Sequence, residues 1–512
     1  MRKYSHIILC FLFALHLVPI HASAEEYDLM INGAKNEEEM YILLMEHKGH
    51  EILEEYIMLE NEGASELISY ACALADKSDE FTEEEIVQLI LEERTLGETE
   101  SVLVEMLHRK NADFNKLTYI QDDASVALNT KQLLLQSDAV DLEYLVSCVY
   151  GSDDFLAKTA MQQIGFRDKA YAFELSKDLL FNYDANYYRM AAVNIGMDLY
   201  YQNYPEEEKD TKEIADKLMA IYQTAEDEQI RFWAIDTLGW MQDWEVFKAV
   251  SDLTDLEPAF RCNFYDNAKE YVYERAQYAI YEEDIPYYLD YLKWTEDERL
   301  KTILENGGVD VSEVRSEASI SSLSSYIGYA VYRDGVGGVV NLNHHAAIMN
   351  LLKANQTSPL EDLTNKVVIH APGSPLNVKL GSWNEFLSGH DFVAVCRPFS
   401  CSMTTTNMYA FKGKAMTLIG ISYYLLGQIK YTYLNDGSTI QPSIITNIRC
   451  DGVVEYVYEY YGYRVGGSDS YWNISINSLG NKNEHSSFNI TPKKQNENLL
   501  YRVSTNSNDL FN

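Results

Sequence analysis

A chain of 512 residues with a formal net charge of −38 at pH 7 and 46% hydrophobic residues is long enough for at least two cores, since one domain usually takes about 100 to 200 residues. An acidic excess of this size excludes a nucleic-acid binder, which needs clustered Lys and Arg against phosphate, and disfavours anionic membrane surfaces. The cysteines beyond residue 24, Cys72, Cys148, Cys262, Cys396, Cys401 and Cys450, are too scattered for the disulfide framework of a small secreted domain.

The first 24 residues, "MRKYSHIILCFLFALHLVPIHASA", carry two cations, an apolar run and a small-x-small ending, which predicts a secretory signal peptide cleaved near Ala24 and a secreted protein. Cys10 lies inside the apolar run, so no lipid-anchor cysteine is expected. No later apolar run reaches the roughly 18 residues needed to span a bilayer.

Charge divides the remainder. Residues 25–310 hold 24 basic and 64 acidic side chains, whereas 311–512 hold 15 of each. A strongly acidic first half is either a solvated surface or an attractor of cationic partners.

Between 25 and 305 the apolar spacing is helical, as in "EEMYILLMEH", "EEEIVQLILEER" and "ESVLVEMLHRK", with apolar residues at i, i+3, i+4 and i+7. Three segments then repeat: "DDFLAKTAMQQIG", "DANYYRMAAVNIG" and "DEQIRFWAIDTLG". Asp153, Asp184 and Asp227 are expected to cap one helix each, Ala160, Ala191 and Ala234 to permit close packing, and Gly165, Gly196 and Gly239 to end the helices in left-handed turns. "AKEYVYERAQYAI" reads as a degraded fourth copy. The pattern resembles HEAT-like repeats, an architecture that carries no activity of its own and usually binds a partner or holds another domain.

Residues 306–325 are rich in Gly and Ser and form the expected linker. A second domain over 326–472 opens with β-type runs, "YIGYAVYRDGV", "VVNLNHHAAIM", "NKVVIHAPG" and "DFVAVCRP". Helical segments follow in "AFKGKAMTLIGISYYLL" and "CDGVVEYVYEYYG". Residues 473–512 are a polar C-terminal extension of weak strand or loop. Cys396 and Cys401 fit a bridge or a strand end and turn equally.

Cys450 precedes Val453, Val454 and Val457, one helical stripe, so the helix starts at or just after the thiol. The positive end of the helix dipole and its unpaired N–H groups favour thiolate there and can hold an oxyanion. A cysteine nucleophile also needs a base and a group that orients the base. His344 and His345 on one strand and His370 on another are the candidates. Neighbours on a strand point to opposite faces, so only one of the pair can face the thiol.

"HHAAIM" followed by "VVIHAPG", then Cys450 at a helix start, resembles the permuted NlpC-type papain-like cysteine amidases and acyltransferases, including the lecithin retinol acyltransferase-like group. The resemblance covers about 320–465. It implies Cys450 as nucleophile, His345 as general base and His370 as its orienting partner, with no cofactor and no metal. It also implies an antiparallel sheet in an α+β domain, placed after an all-α HEAT-like solenoid. Arg449 precedes and Asp451-Gly452 follow the cysteine, where the acyltransferase group has Asn and Glu-His. Cleavage of a peptide or amide substrate, cell-wall peptides among the candidates, therefore ranks above acyl transfer to or from a lipid. A backbone N–H at Cys450 is one expected oxyanion donor and Tyr329 a candidate second. The rival readings are a zinc site, which lacks a close ligand pair, and a catalytically inactive interaction protein whose helical repeats bind a protein partner.

Overall fold

The computed structural model describes residues 34, 36–62, 67–92, 95–121, 123–204, 211–312, 314, 326–335, 344–350, 366–373, 376–432, 440–465 and 490–511. The candidate signal peptide and most of the expected linker lie outside the described residues. The first half is helical throughout: α1 (Glu37–Leu44), α2 (Gly49–Asn61), α3 (Ile68–Asp76), α4 (Glu83–Ile90), α5 (Gly97–Arg109), α6 (Leu128–Leu135), α7 (Leu142–Gly151), α8 (Leu156–Arg167), α9 (Lys169–Asn182), α10 (Tyr187–Tyr201), α11 (Thr211–Thr224), α12 (Glu228–Trp240), α13 (Trp244–Ser251), α14 (Pro258–Asn267), α15 (Lys269–Tyr278), α16 (Ile285–Thr295) and α17 (Glu298–Asn306). No described helix is long and apolar enough to cross a membrane.

The three repeat segments form α8, α10 and α12, stacked in that order, with α9 and α11 packed beside them. The expected capping pattern holds only for α12, where Asp227 accepts from the backbone N–H groups of Gln229 (2.8 Å) and Ile230 (3.1 Å). Asn186 caps α10 in place of Asp184, and Asp154 in place of Asp153 accepts from Leu156 N at 2.8 Å.

The repeat glycines end nothing. Gly165, Gly196 and Gly239 lie within their helices and none has a positive φ. Their use is close approach: a Cβ at Gly239 would lie 2.8 Å from Asn267 Cβ and 3.0 Å from Phe264 O, both on α14. That contact also corrects the fourth copy. The helix stacked on α12 is α14, whereas "AKEYVYERAQYAI" supplies α15.

Polar side chains buried between these helices satisfy one another. Asp236 accepts from Asn194, Asn263 and Asn267, and Asp198 accepts from Asn194 and Thr237. Burial, with Asp236 beside it, pushes the Asp198 carboxyl well above its ordinary range. Burial likewise pushes Lys158 down to about 8, although Asp198 and Asp236 oppose the shift.

The second half is α+β. Six strands make an antiparallel sheet in the order β4 (Lys379–Gly381), β3 (Val368–His370), β2 (His345–Met349), β1 (Ala330–Arg333), β5 (Phe392–Arg397) and β9 (Tyr501–Ser504). A small second sheet has β8 (Ile445–Ile448) between β6 (Ser422–Tyr423) and β7 (Ile429–Tyr431). Helix α18 (Trp383–Leu387) packs against β3, and α19 (Thr405–Thr417) and α20 (Cys450–Tyr460) pack against β2. The expected long helix over 410–426 instead stops at Thr417, and Ser422–Tyr423 pairs with β8. Residues 490–504 are part of this domain, because β9 pairs with β5 and Ile490, Thr491, Gln495, Asn496 and Leu500 are buried.

The two halves share one apolar core. Helix α19 continues the helical row by packing on α14 and α12. Lysines of the second half meet acids of the first: Lys414 with Asp266 (2.8 Å), Lys366 with Glu228 (3.3 Å), Lys430 with Glu105 (3.4 Å), and Lys412 with Glu228 and Glu257. Part of the acidic excess is thus neutralised within the chain.

Replacing Gly239 by Ala should lower stability by about 1 to 2 kcal/mol, because overpacking against α14 outweighs the roughly 1 kcal/mol gained in helix propensity. Gly151→Ala, with nothing within 4 Å of the new methyl, should be neutral or stabilising. Urea midpoints of the two variants decide, and equal midpoints would remove the close-approach account.

Candidate functional site

Helix α20 begins at Cys450, as the apolar stripe requires, and packs its buried residues Val453, Val454 and Val457 inward. Cys450 itself is 0% exposed. Its two neighbours form a buried ion pair: Arg449 Nε and Nη2 donate to the Asp451 carboxylate at 2.6 and 2.7 Å. Arg449 also donates to the carbonyls of Leu425 and Ile490, both at 3.1 Å. Burial opposes the Arg449 cation, but Asp451 overcomes it and holds the guanidinium above its ordinary pKa. Gln428 donates to Asp451 at 3.2 Å, and a Cβ at Gly452 would lie 2.1 Å from Gln428 O. Only glycine lets the helix start against that backbone.

The large sheet separates the candidate histidines. On β2, Ala346 and Ile348 join the core that contains Cys450, Val453 and Val454, while Ala347 and Met349 join a second core with Val368, Trp383 and Phe386 on the α18 side. His345 shares the face of Ala347 and Met349. Its ring centroid lies 5.6 Å from that of Phe386. His370 is on that same face, with His345 Nε2 and His370 Nδ1 2.9 Å apart. The structure therefore brings His345 and His370 together as the sequence suggests, and places Cys450 across the sheet from them.

His344, one residue earlier, takes the Cys450 side. Its Nδ1 lies 3.1 Å from Asn496 Nδ2, and Asn496 also meets Cys396 Sγ at 3.7 Å. Cys396 belongs to the Cys450 core. Next to Asn496, Gln495 donates to Asp451 O at 2.9 Å and accepts from Tyr332 Oη at 3.0 Å. Tyr332 is raised well above its ordinary pKa by burial first, with Cys396, Tyr458, Asp451 and Cys450 adding to it. Cys450, Tyr332, Gln495, Asn496 and His344 are thus linked on one side of the sheet, and all are buried.

Asn496 and Gln495 were not singled out in the sequence, since "QNEN" sits in a polar tail without periodicity. One signal there was readable: Thr491 followed by Pro492 is a helix start, and Thr491 Oγ1 accepts from Lys494 N at 3.2 Å. Tyr329, the candidate second oxyanion donor, is half-buried against Tyr326, with ring centroids 5.3 Å apart. Cys396 and Cys401 are both free thiols. Burial pushes Cys262 and Cys396 up to about 12. Among the described residues, no group of three or more His, Cys, Asp or Glu is arranged to hold a metal ion.

Compared with protein-family models, curated proteins and solved structures, the chain matches none.

Two outcomes follow from these contacts. Arg449→Met leaves Asp451 buried without its cation and should cost about 3 to 5 kcal/mol, while adding Asp451→Asn should recover part of that loss; chemical denaturation at pH 7 measures both. Burial first, with the neighbouring His345, Lys379 and Arg333, holds the His370 imidazole well below its ordinary pKa. Protons then bind the unfolded chain preferentially below about pH 6.5, so this contribution to stability is lost as pH falls. His370→Asn, which keeps a polar group near Nδ1, should lose less stability than the wild type between pH 7.5 and 5.5; an identical slope in both proteins would rule the account out.

Proposed function

We propose that the second half is a thiol-dependent amidase or peptidase of the permuted papain-like type, carried by a HEAT-like helical row, with Cys450 as nucleophile and His344 as its imidazole partner. One observation carries this reading. The thiol opens a buried helix packed on β2, and His344 lies on that same face with its Nδ1 against an asparagine. The sequence resemblance points to His345 at this step, and the face it occupies favours His344 instead.

In this mechanism His344 takes the Cys450 proton, the thiolate attacks an amide carbonyl, and the protonated imidazole gives its proton to the leaving amine. Backbone N–H groups at the start of α20 face the developing oxyanion. Water then releases the acyl group from the enzyme. Asn496 sets the tautomer of His344. With Nδ2 on His344 and Oδ1 accepting from Arg502 Nε at 3.1 Å, the neutral ring carries its proton on Nε2. The base role requires the asparagine amide turned over, so that Oδ1 accepts from Nδ1–H, which gives up the bond from Arg502 Nε and counts toward the second reading below. Export, peptide substrates and the signal peptide belong to the same proposal.

The full burial of Cys450 favours a second reading, a papain-like domain without catalysis that serves as an interaction module. Iodoacetamide labelling separates the two. Under the amidase reading Cys450 reacts well below pH 8, and His344→Ala slows labelling by about tenfold or more while His345→Ala leaves it nearly unchanged. The half-buried Cys72 and Cys148 give a background that Cys450→Ala measures. A Cys450 that stays unlabelled at pH 7 in the folded protein sinks the amidase reading, and loss of labelling in His345→Ala alone returns the base role to His345.

A further inference from the structure

The helical half grips every strand of the small sheet that leads into Cys450. Lys158 on α8 donates to Ile419 O at 2.7 Å, just before β6. Glu105 on α5 pairs with Lys430 of β7 at 3.4 Å. Gln162 on α8, 5% exposed, donates through Nε2 to Ser443 O at 2.8 Å and Ile445 O at 2.9 Å, at the start of β8. Gln202, the residue that follows α10, accepts from Ser443 Oγ at 2.6 Å. Strand β8 ends at Ile448, only Arg449 separates it from Cys450, and Arg449 N donates to Gln428 O at 2.9 Å, beside β7.

Rows of stacked helices commonly offer a surface to a partner. Here the row's ligand is the chain's own second half. Two carbonyls bound by a single amide fix where β8 sits along its length, and a strand of four residues carries any slip to its end. A displacement of about 1 Å in a reacting group can cost on the order of 100-fold in rate.

We propose that Gln162 is a positioning residue for Cys450, and that the helical row acts as a brace holding the nucleophile in register with His344. The inference rests on the thiol-hydrolase reading above. Removing the Gln162 amide lets β8 shift and draws the thiol away from the imidazole, without touching any reacting group.

The test follows the rate of Cys450 alkylation by iodoacetamide across pH 5.5 to 9 in the full chain. It compares wild type, Cys450→Ala, Gln162→Ala and Lys366→Ala, with circular dichroism as the check on folding. Lys366→Ala removes an ion pair between the two halves that does not touch the small sheet. The expected result is that Gln162→Ala reacts about tenfold more slowly at pH 7, with its pH midpoint raised, while Lys366→Ala keeps the wild-type profile. A wild-type profile in folded Gln162→Ala overturns this inference alone, and so does an equal shift in both variants, which would mark general loosening of the two halves. Equal labelling of wild type and Cys450→Ala overturns the hydrolase reading and this inference with it. If Gln162→Ala does not fold, Gln202→Ala, which removes only the bond from Ser443, should shift the profile in the same direction, and an unshifted profile there overturns the inference.

Discussion

The buried pair of Arg449 and Asp451 is the contact on which the second half depends. Four residues from two chain segments converge on it: Leu425 and Ile490 through their carbonyls, Gln428 through its side chain, and Gln495 through Asp451 O. A guanidinium taken wholly out of water is strongly destabilising unless its donors are met, and here the carboxylate and two carbonyls meet them. The pair brackets Cys450 in sequence. Whatever the thiol does, its position follows from this electrostatic knot and not from apolar packing alone.

Strand geometry then decides which imidazole shares a face with the thiol. Side chains alternate across a sheet, so adjacent histidines at 344 and 345 are divided between two cores. His345 and His370 form a pair under α18, with the His370 imidazole held well below its ordinary pKa by burial. His344 meets Asn496, which arrives from the far end of the chain. Two imidazoles only one residue apart thus have unrelated surroundings and different possible chemistry.

The acidic first half has a use beyond solubility. Its carboxylates receive Lys366, Lys412, Lys414 and Lys430 from the second half, and Lys414 also lies 3.7 Å from the ring centroid of Tyr460. Asp198, Asp236 and Lys158, all buried, tie helices of the row to one another and to Ile419. The docking is therefore specific as well as apolar: charges as deeply placed as Lys158, Lys412 and Lys414 tolerate few alternative arrangements.

Helical periodicity over the first half, strand type at 330–333, 345–349 and 368–370, and the helix start at Cys450 were legible in the sequence, because each depends on local spacing and the hydrophobic period. The repeat glycines misled for a physical reason. Glycine near the end of a helical pattern serves a left-handed turn or a close helix contact equally well, and only the neighbouring helix distinguishes them. The fourth helix of the row was missed because its close-packing partner, Asn267, carries no repeat signature. The sequence by itself determined the helical character of the first half, the strands near 330, 345 and 368, the helix start at Cys450, and that His344 and His345 must oppose one another. Only the tertiary structure decided which of them shares a face with Cys450, and that Asn496 and Gln495 join that side. Sheet faces acquire their identities when helices pack on them, and the contact that decides it for Cys450, α20 on β2, joins Cys450–Tyr460 to His345–Met349, far apart along the chain.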